Sequence, residues 1–132
     1  MGEHGEAMRE RIKAHIRALN DIPGISGYEE GVIAYLHPRL AEVAGEVRVD
    51  RFGNLFATKR GSRPGLTLLL TAHSDEIGAV VKSVRTDGFL RFERSGGVVP
   101  SLLVGRKVLV RGDRQQAGAY AERAGTAARG AH

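Results

Sequence analysis

Cysteine is absent from this 132-residue chain. A disulfide framework, a thiolate metal site and a cysteine nucleophile are all excluded, so any metal must be held by histidine and carboxylates. Tryptophan is absent too, and three Tyr with four Phe are the only aromatic rings besides the histidines. That is thin material for the stacking platforms that grip single-stranded nucleic acid. No apolar run approaches the ~18 residues that read as a membrane span. The start of the chain (His4, Glu6, Arg9, Glu10, Arg11) is too polar for a secretion signal. The expectation is a soluble, cytoplasmic protein with no membrane partner.

Hydrophobic residues at 42% and charged residues at 27% suit a soluble globular chain with one core. Glycine, at 18 residues, is about twice its ordinary usage and announces many turns and close backbone approaches. The net charge of +5 and the pI near 10.1 invite a nucleic-acid partner, because clustered Lys and Arg displace counterions from phosphates. The clustering is missing: Lys59-Arg60 and Arg106-Lys107 are the densest pairs. Nucleic acid is therefore not the expected partner.

Met8, Ile12, Ile16 and Leu19 recur at helical spacing and predict an amphipathic helix over residues 6–20, ending before Pro23-Gly24. Ser26 followed by Glu29 has the form of a capping box and predicts a second helix with Tyr28, Val32, Leu36 and Leu40 as its apolar positions. Pro38 should bend that helix or end it early. From Glu46 the period changes to two. Val47 and Val49, a turn over residues 50–54 and then Leu55-Phe56-Ala57-Thr58 read as a hairpin. Residues 66–72, Leu-Thr-Leu-Leu-Leu-Thr-Ala, have the length and composition of a strand buried on both faces of an α/β sheet. Residues 77–84 and 89–94 read as two strands around an Asp87-Gly88 turn, and residues 102–110 as one more strand.

The last 21 residues differ in kind. They hold seven Ala, four Gly and three Arg, and no Val, Ile, Leu, Met or Phe. Such a segment buries too little apolar area to offset its ordering entropy, so residues 112–132 are expected to form a low-complexity, disordered tail.

The chemistry concentrates at His73 and Asp75, two apart and just beyond the apolar run. In an extended chain they project from one face and can converge. The C-terminal end of a sheet strand is where open α/β sheets build ligand sites, and imidazole and carboxylate both suit zinc, cobalt or manganese. In a second division of labour His73 alone binds the metal and Asp75 orients it from behind. Taken alone, His-x-Asp also fits a surface histidine beside a turn-forming aspartate.

Its neighbours are more specific. The strings Pro23-Gly24-Ile25-Ser26-Gly27-Tyr28-Glu29-Glu30, Val49-Asp50-Arg51-Phe52-Gly53-Asn54-Leu55 and Ala72-His73-Ser74-Asp75-Glu76-Ile77-Gly78, with Asp87-Gly88-Phe89-Leu90-Arg91-Phe92 and Gly96-Gly97 after them, resemble the tetrahedral aminopeptidases. These are the glutamyl and deblocking aminopeptidases, some of them labelled endoglucanases, and the resemblance runs over about residues 8–111. It implies a cocatalytic metallopeptidase with two divalent ions, zinc or cobalt, that cleaves N-terminal residues from peptide substrates. It also implies an α/β domain, here a partial mixed sheet flanked by the N-terminal helices over residues 1–95, with a β-barrel-like insertion starting at residues 96–111. Family members assemble as homo-oligomers, dodecamers among them. On the family pattern His73 matches a metal ligand and Asp75 the catalytic carboxylate that supports it. Two metals would polarise the scissile carbonyl and lower the pKa of a bridging water.

The family also supplies further carboxylates and a final histidine that this chain lacks. Glu29-Glu30 is the only adjacent Glu-Glu pair, and it belongs to a helix start. His4, His15 and His37 fall in helical or terminal regions, and His132 ends the tail. The expectation is a truncated family member that binds metal weakly or not at all and is incomplete as a catalyst, with out-of-frame or divergent sequence after Arg111. Two alternatives stand beside it: a catalytically inactive remnant that acts as an interaction subunit, and a small basic binding module.

Overall fold

The helical spacing near the N-terminus does make a helix. In the computed structural model, which describes residues 2–112, 115–123 and 127–129, α1 spans Glu3–Asn20. Lys13 pairs with Glu10 at 2.7 Å along its surface. Its apolar stripe is only partly covered, with Met8, Ile12 and Ile16 about half exposed. The second helix, α2, spans Glu30–Ala41 and buries Val32. His15 Nδ1 lies 2.9 Å from the Tyr35 hydroxyl and joins the two helices.

Of the two effects expected of Pro38, early termination does not occur: α2 continues past it to Ala41. The guanidinium of Arg39 donates to the Tyr35 carbonyl at 2.6 Å and stacks over the Tyr35 ring. A side-chain donor thus serves a carbonyl next to the break that proline makes in the helical ladder. The capping box also fails. Residue Glu29 is the N-cap and no side chain caps it, while the Glu29 carboxylate accepts the Gly27 N–H at 2.9 Å.

The hairpin forms as read: β1, Glu46–Val49, pairs antiparallel with β2, Leu55–Thr58. Its turn is organised by one carboxylate. Asp50 accepts the N–H groups of Phe52 and Asn54 and the Asn54 side-chain amide, each at 2.9 Å. Gly53 supplies the positive φ, +85°, that closes the turn.

Residues 66–72 correct the sequence reading. They form no strand, and Leu66, Leu68, Leu69 and Leu70 are 103%, 81%, 81% and 83% exposed. A strand buried on both faces needs neighbours on each edge and cover on each face. Among the described residues none pairs with this run; a single parallel bridge, Ile25 to Glu76, forms after it.

By contact density the chain divides into two units, Met1–Glu76 and Ile77–His132. The second is a five-stranded antiparallel sheet. Strands β3 (Gly78–Val84) and β4 (Phe89–Ser95) form the hairpin read around Asp87-Gly88, with Gly88 at φ +82°. A Lys82–Glu93 ion pair of 2.8 Å crosses it. The strand expected over residues 102–110 is shorter. A 3-10 turn occupies Pro100–Leu102, Gly105 turns the chain at φ +71°, and β5 spans Lys107–Arg111. Strands β6 (Gln115–Arg123) and β7 (Ala127–Arg129) complete the order β3-β4-β7-β6-β5.

Because β4 pairs with β7, one sheet includes strands from both sides of residues 95 and 96. After Arg111, Gln115–Arg123 and Ala127–Arg129 are strand, and ladder hydrogen bonds come from the main chain and need no large side chains. Residues 113–114, 124–126 and 130–132, including His132, lie outside the described residues.

The β1–β2 turn yields a pH prediction. The Asn54 side-chain amide, and then the backbone N–H groups, hold the Asp50 carboxyl below its ordinary 3.8. A depressed folded-state value means that this contribution is present above the unfolded-state pKa and is lost as pH falls through the lower folded value. Substituting Asn54→Ala should move the Asp50 titration back toward 3.8, read by carboxyl carbon NMR shifts. An unmoved midpoint would show that the side-chain amide is not the cause.

Candidate functional site

A glycine and a glutamate bring the site together. The Glu76 N–H donates to the Gly24 carbonyl at 2.8 Å, and the Gly24 N–H returns a bond to Glu76 Oε1 at 3.1 Å, across 52 positions of sequence. The same residue packs closely on α2: a Cβ there would stand 2.7 Å from Val32 Cγ2, against 3.7 Å from the Ser74 carbonyl. Glycine is the residue that lets the loop lie this close to α2.

This docking places Ser26 beside Asp75. The Ser26 hydroxyl donates to Asp75 Oδ2 at 2.5 Å. The other carboxylate oxygen, Oδ1, lies 3.0 Å from His73 Nδ1, and the Asp75 main-chain carbonyl lies at the same distance from that nitrogen. Both of these oxygens only accept, so Nδ1 is a donor, and in the neutral ring the lone pair falls on Nε2. The His73 side chain is 85% exposed against 37% for Asp75. The ring therefore stands in solvent, held by its Nδ1 side.

The electrostatics agree with the geometry. The Ser26 hydroxyl first, then the His73 ring, hold the Asp75 carboxyl below its ordinary 3.8, against a small opposing effect of desolvation. Asp75 is thus a carboxylate at neutral pH. Beside it lies a cavity of about 200 Å³, whose walls include Leu19, Ile22, Val32 and Leu36 along with His73 and Asp75.

The convergence expected of His73 and Asp75 is present, in the arrangement where the carboxylate faces the ring rather than standing free beside it. Both Asp75 oxygens are engaged by protein groups. Among the described residues the other histidines do not join them: His4 and His37 sit on the helices and His15 faces Tyr35. Among the described residues no three His, Asp or Glu side chains gather closely enough to hold a metal. The donor set therefore fits one coordination position and falls short of the three protein ligands of a catalytic zinc site.

Sequence reasoning missed Ser26 and Glu76. Ser26 was assigned to a helix cap because Ser-x-x-Glu is ambiguous at that level. The unspent signal was Gly24, since a glycine two residues before a serine, in a loop preceding a helix, admits a close approach by another segment.

The Gly24 approach is testable. Gly24→Ala should destabilise the chain by about 1–3 kcal/mol, the usual penalty for forcing a methyl into a packed contact. Adding Val32→Ala should return part of that loss, giving a non-additive pair in urea denaturation. Strict additivity would mean that the two positions do not touch.

Comparison with known proteins places this geometry in a family. The sequence model of the M42 glutamyl aminopeptidases matches residues 53–123, which includes His73 and Asp75 and passes twelve residues beyond Arg111. The compositional break after Arg111 is thus not the end of the family pattern, which counts against an out-of-frame tail beginning there. The lysyl aminopeptidase of Pyrococcus furiosus is 37% identical over 94 residues, covering 70% of this chain and 27% of that protein. A Thermotoga maritima structure named endoglucanase is 37% identical, with a TM-score of 0.64 over 68% of this chain and 29% of that one. The TET1 peptidase of Pyrococcus horikoshii, which can assemble into a tetrahedron or a large octahedral shell, is 33% identical with a TM-score of 0.68 over 79% and 31%. The chain spans little more than a quarter to a third of the length of these relatives, and its combination of helix and sheet is the α/β fold expected. With more than half of its residues inside the family pattern, the chain is a member of the M42 glutamyl aminopeptidase family.

Proposed function

We propose that this chain is part of a metal-dependent aminopeptidase, in which His73 ligates a divalent cation through Nε2 and Asp75 is the catalytic-site carboxylate that orients the ring. One observation carries the reading: both acceptors at His73 Nδ1 belong to Asp75, which leaves Nε2 as a lone pair on an exposed ring. A histidine ligand whose other nitrogen donates to a carboxylate is the usual way of fixing ring orientation and raising ligand basicity. A cation completed by further donors would supply Lewis acidity at the scissile carbonyl of a peptide.

Zinc and cobalt are the cations we favour, because imidazole and carboxylate donors suit both. Since the described residues offer one ligand, the other donors lie outside them. Homo-oligomeric assembly and a cytoplasmic location belong to the same proposal. The first is supported by the shells that the Pyrococcus horikoshii relative forms, and no helix among the described residues is long and apolar enough to cross a membrane. The insertion domain is placed, on the same reading, from Gly96 onward.

The test takes two forms. The purified chain alone, with added zinc or cobalt, should not hydrolyse chromogenic aminoacyl substrates; robust chelator-sensitive turnover would overturn the incompleteness of the site. In a chimera in which residues 22–98 replace the corresponding segment of the Pyrococcus furiosus lysyl aminopeptidase, turnover should return. There His73→Ala should abolish it, and Asp75→Asn should lower metal affinity roughly 10- to 100-fold. A chimera that remains active without the His73 imidazole would sink the assignment.

A further inference from the structure

The Ser26 hydroxyl is unexplained by the needs of its own loop. Glu76 anchors that loop through its N–H and carboxylate contacts with Gly24. The turn after it closes through the Tyr28 N–H to Ile25 carbonyl bond of 2.8 Å and the positive φ of Gly27, +86°. No side chain caps α2. Among the described residues the hydroxyl has one partner, Asp75 Oδ2, and an ionised carboxylate can only accept, so Ser26 is the donor.

We propose that Ser26 is a positioning residue: by holding Oδ2 it fixes the Asp75 carboxylate so that Oδ1 meets His73 Nδ1, keeping Nε2 free for a divalent cation. The proposal rests on the metal-ligand reading of His73, but its geometry does not require the metal. Asp75 is partly exposed, so without the hydroxyl, water can solvate the carboxylate but cannot fix its rotamer. The Asp75 carbonyl would still accept from Nδ1, whereas the stronger charge-assisted bond would become intermittent. Loss of the hydroxyl should therefore loosen the tautomer preference of His73 without unfolding the loop.

The experiment uses the full chain, metal-free and isotope-labelled, about two pH units above the ordinary imidazole pKa of ~6.5 so that the ring is neutral. Long-range proton–nitrogen correlations report which ring nitrogen of His73 carries the proton, and three-bond couplings report the Asp75 side-chain rotamer. In the wild-type chain the Nδ1–H form should dominate and Asp75 should occupy one rotamer. Ser26→Ala should lower the ratio of Nδ1–H to Nε2–H forms roughly three- to tenfold, the worth of one hydrogen bond partly replaced by water. Ser26→Thr, which keeps the hydroxyl, should retain the wild-type ratio.

An unchanged ratio in a folded Ser26→Ala chain overturns the proposal, as does an equal shift in both variants. If Ser26→Ala does not fold, the wild-type couplings decide: an Asp75 that averages over rotamers refutes the clamp. None of these readouts uses metal or turnover. A chimera active without His73 would therefore remove the aminopeptidase role while leaving the hydrogen-bond chain intact, and a failed tautomer test would do the converse.

Discussion

The two-way contact between Gly24 and Glu76 is the constraint on which the candidate site depends. Neither bond is strong by itself; a protein hydrogen bond contributes about 0.5–1.5 kcal/mol net. Their importance lies in closing a 52-residue separation at one point, because every later contact of the site is then local. Once Glu76 is fixed, Asp75 must face the loop, Ser26 reaches it, and His73 falls within 3.0 Å on the other side. A Cβ at residue 24 would meet the Val32 side chain at 2.7 Å and lie at ordinary contact distance, 3.7 Å, from the Ser74 carbonyl. Geometry at the ring is therefore tied to how closely the Gly24 backbone packs on Val32.

Local features of the fold were legible in the sequence wherever one short segment carried its own chemistry. The Asp50 to Asn54 turn is an example, with a carboxylate positioned to accept three donors within four residues. The Asp87-Gly88 hairpin is another, with the Gly88 φ required by the turn and an Arg85–Asp87 pair at 2.8 Å beside it. His73 and Asp75 stand out in the sequence because their spacing and neighbours are informative together, and the structure brings their side chains within 3.0 Å. Ser26 does not stand out, because its partner lies 49 residues away and Ser-x-x-Glu offers an equally good local use. Pattern reading has no means of ranking a local acceptor against a distant one until the chain path is known.

Residues 66–70 fail for a different reason. Their composition describes an environment, cover on both faces, rather than a conformation. The described residues do not provide that environment, so four leucines stand in solvent. Burying each fully would be worth roughly 1.5–3 kcal/mol, and the half-exposed Met8, Ile12 and Ile16 add to the uncovered surface. The run immediately precedes His73. The uncovered run therefore adjoins the candidate site, in a chain that covers 27–31% of the relatives' length.

The converse holds in the second unit. Residues with little apolar content nonetheless enter its sheet, where β6 stands between β5 and β7 and so pairs on both edges. Backbone pairing is indifferent to side-chain size, so an alanine- and glycine-rich segment can be a central strand provided that strands exist on either side to receive its N–H and C=O groups. Large aliphatic side chains without neighbours left residues 66–72 as irregular chain, and neighbours without large aliphatic side chains made Gln115–Arg123 a strand. For this protein the presence of pairing partners, more than composition, separates the segments that became sheet from those that did not.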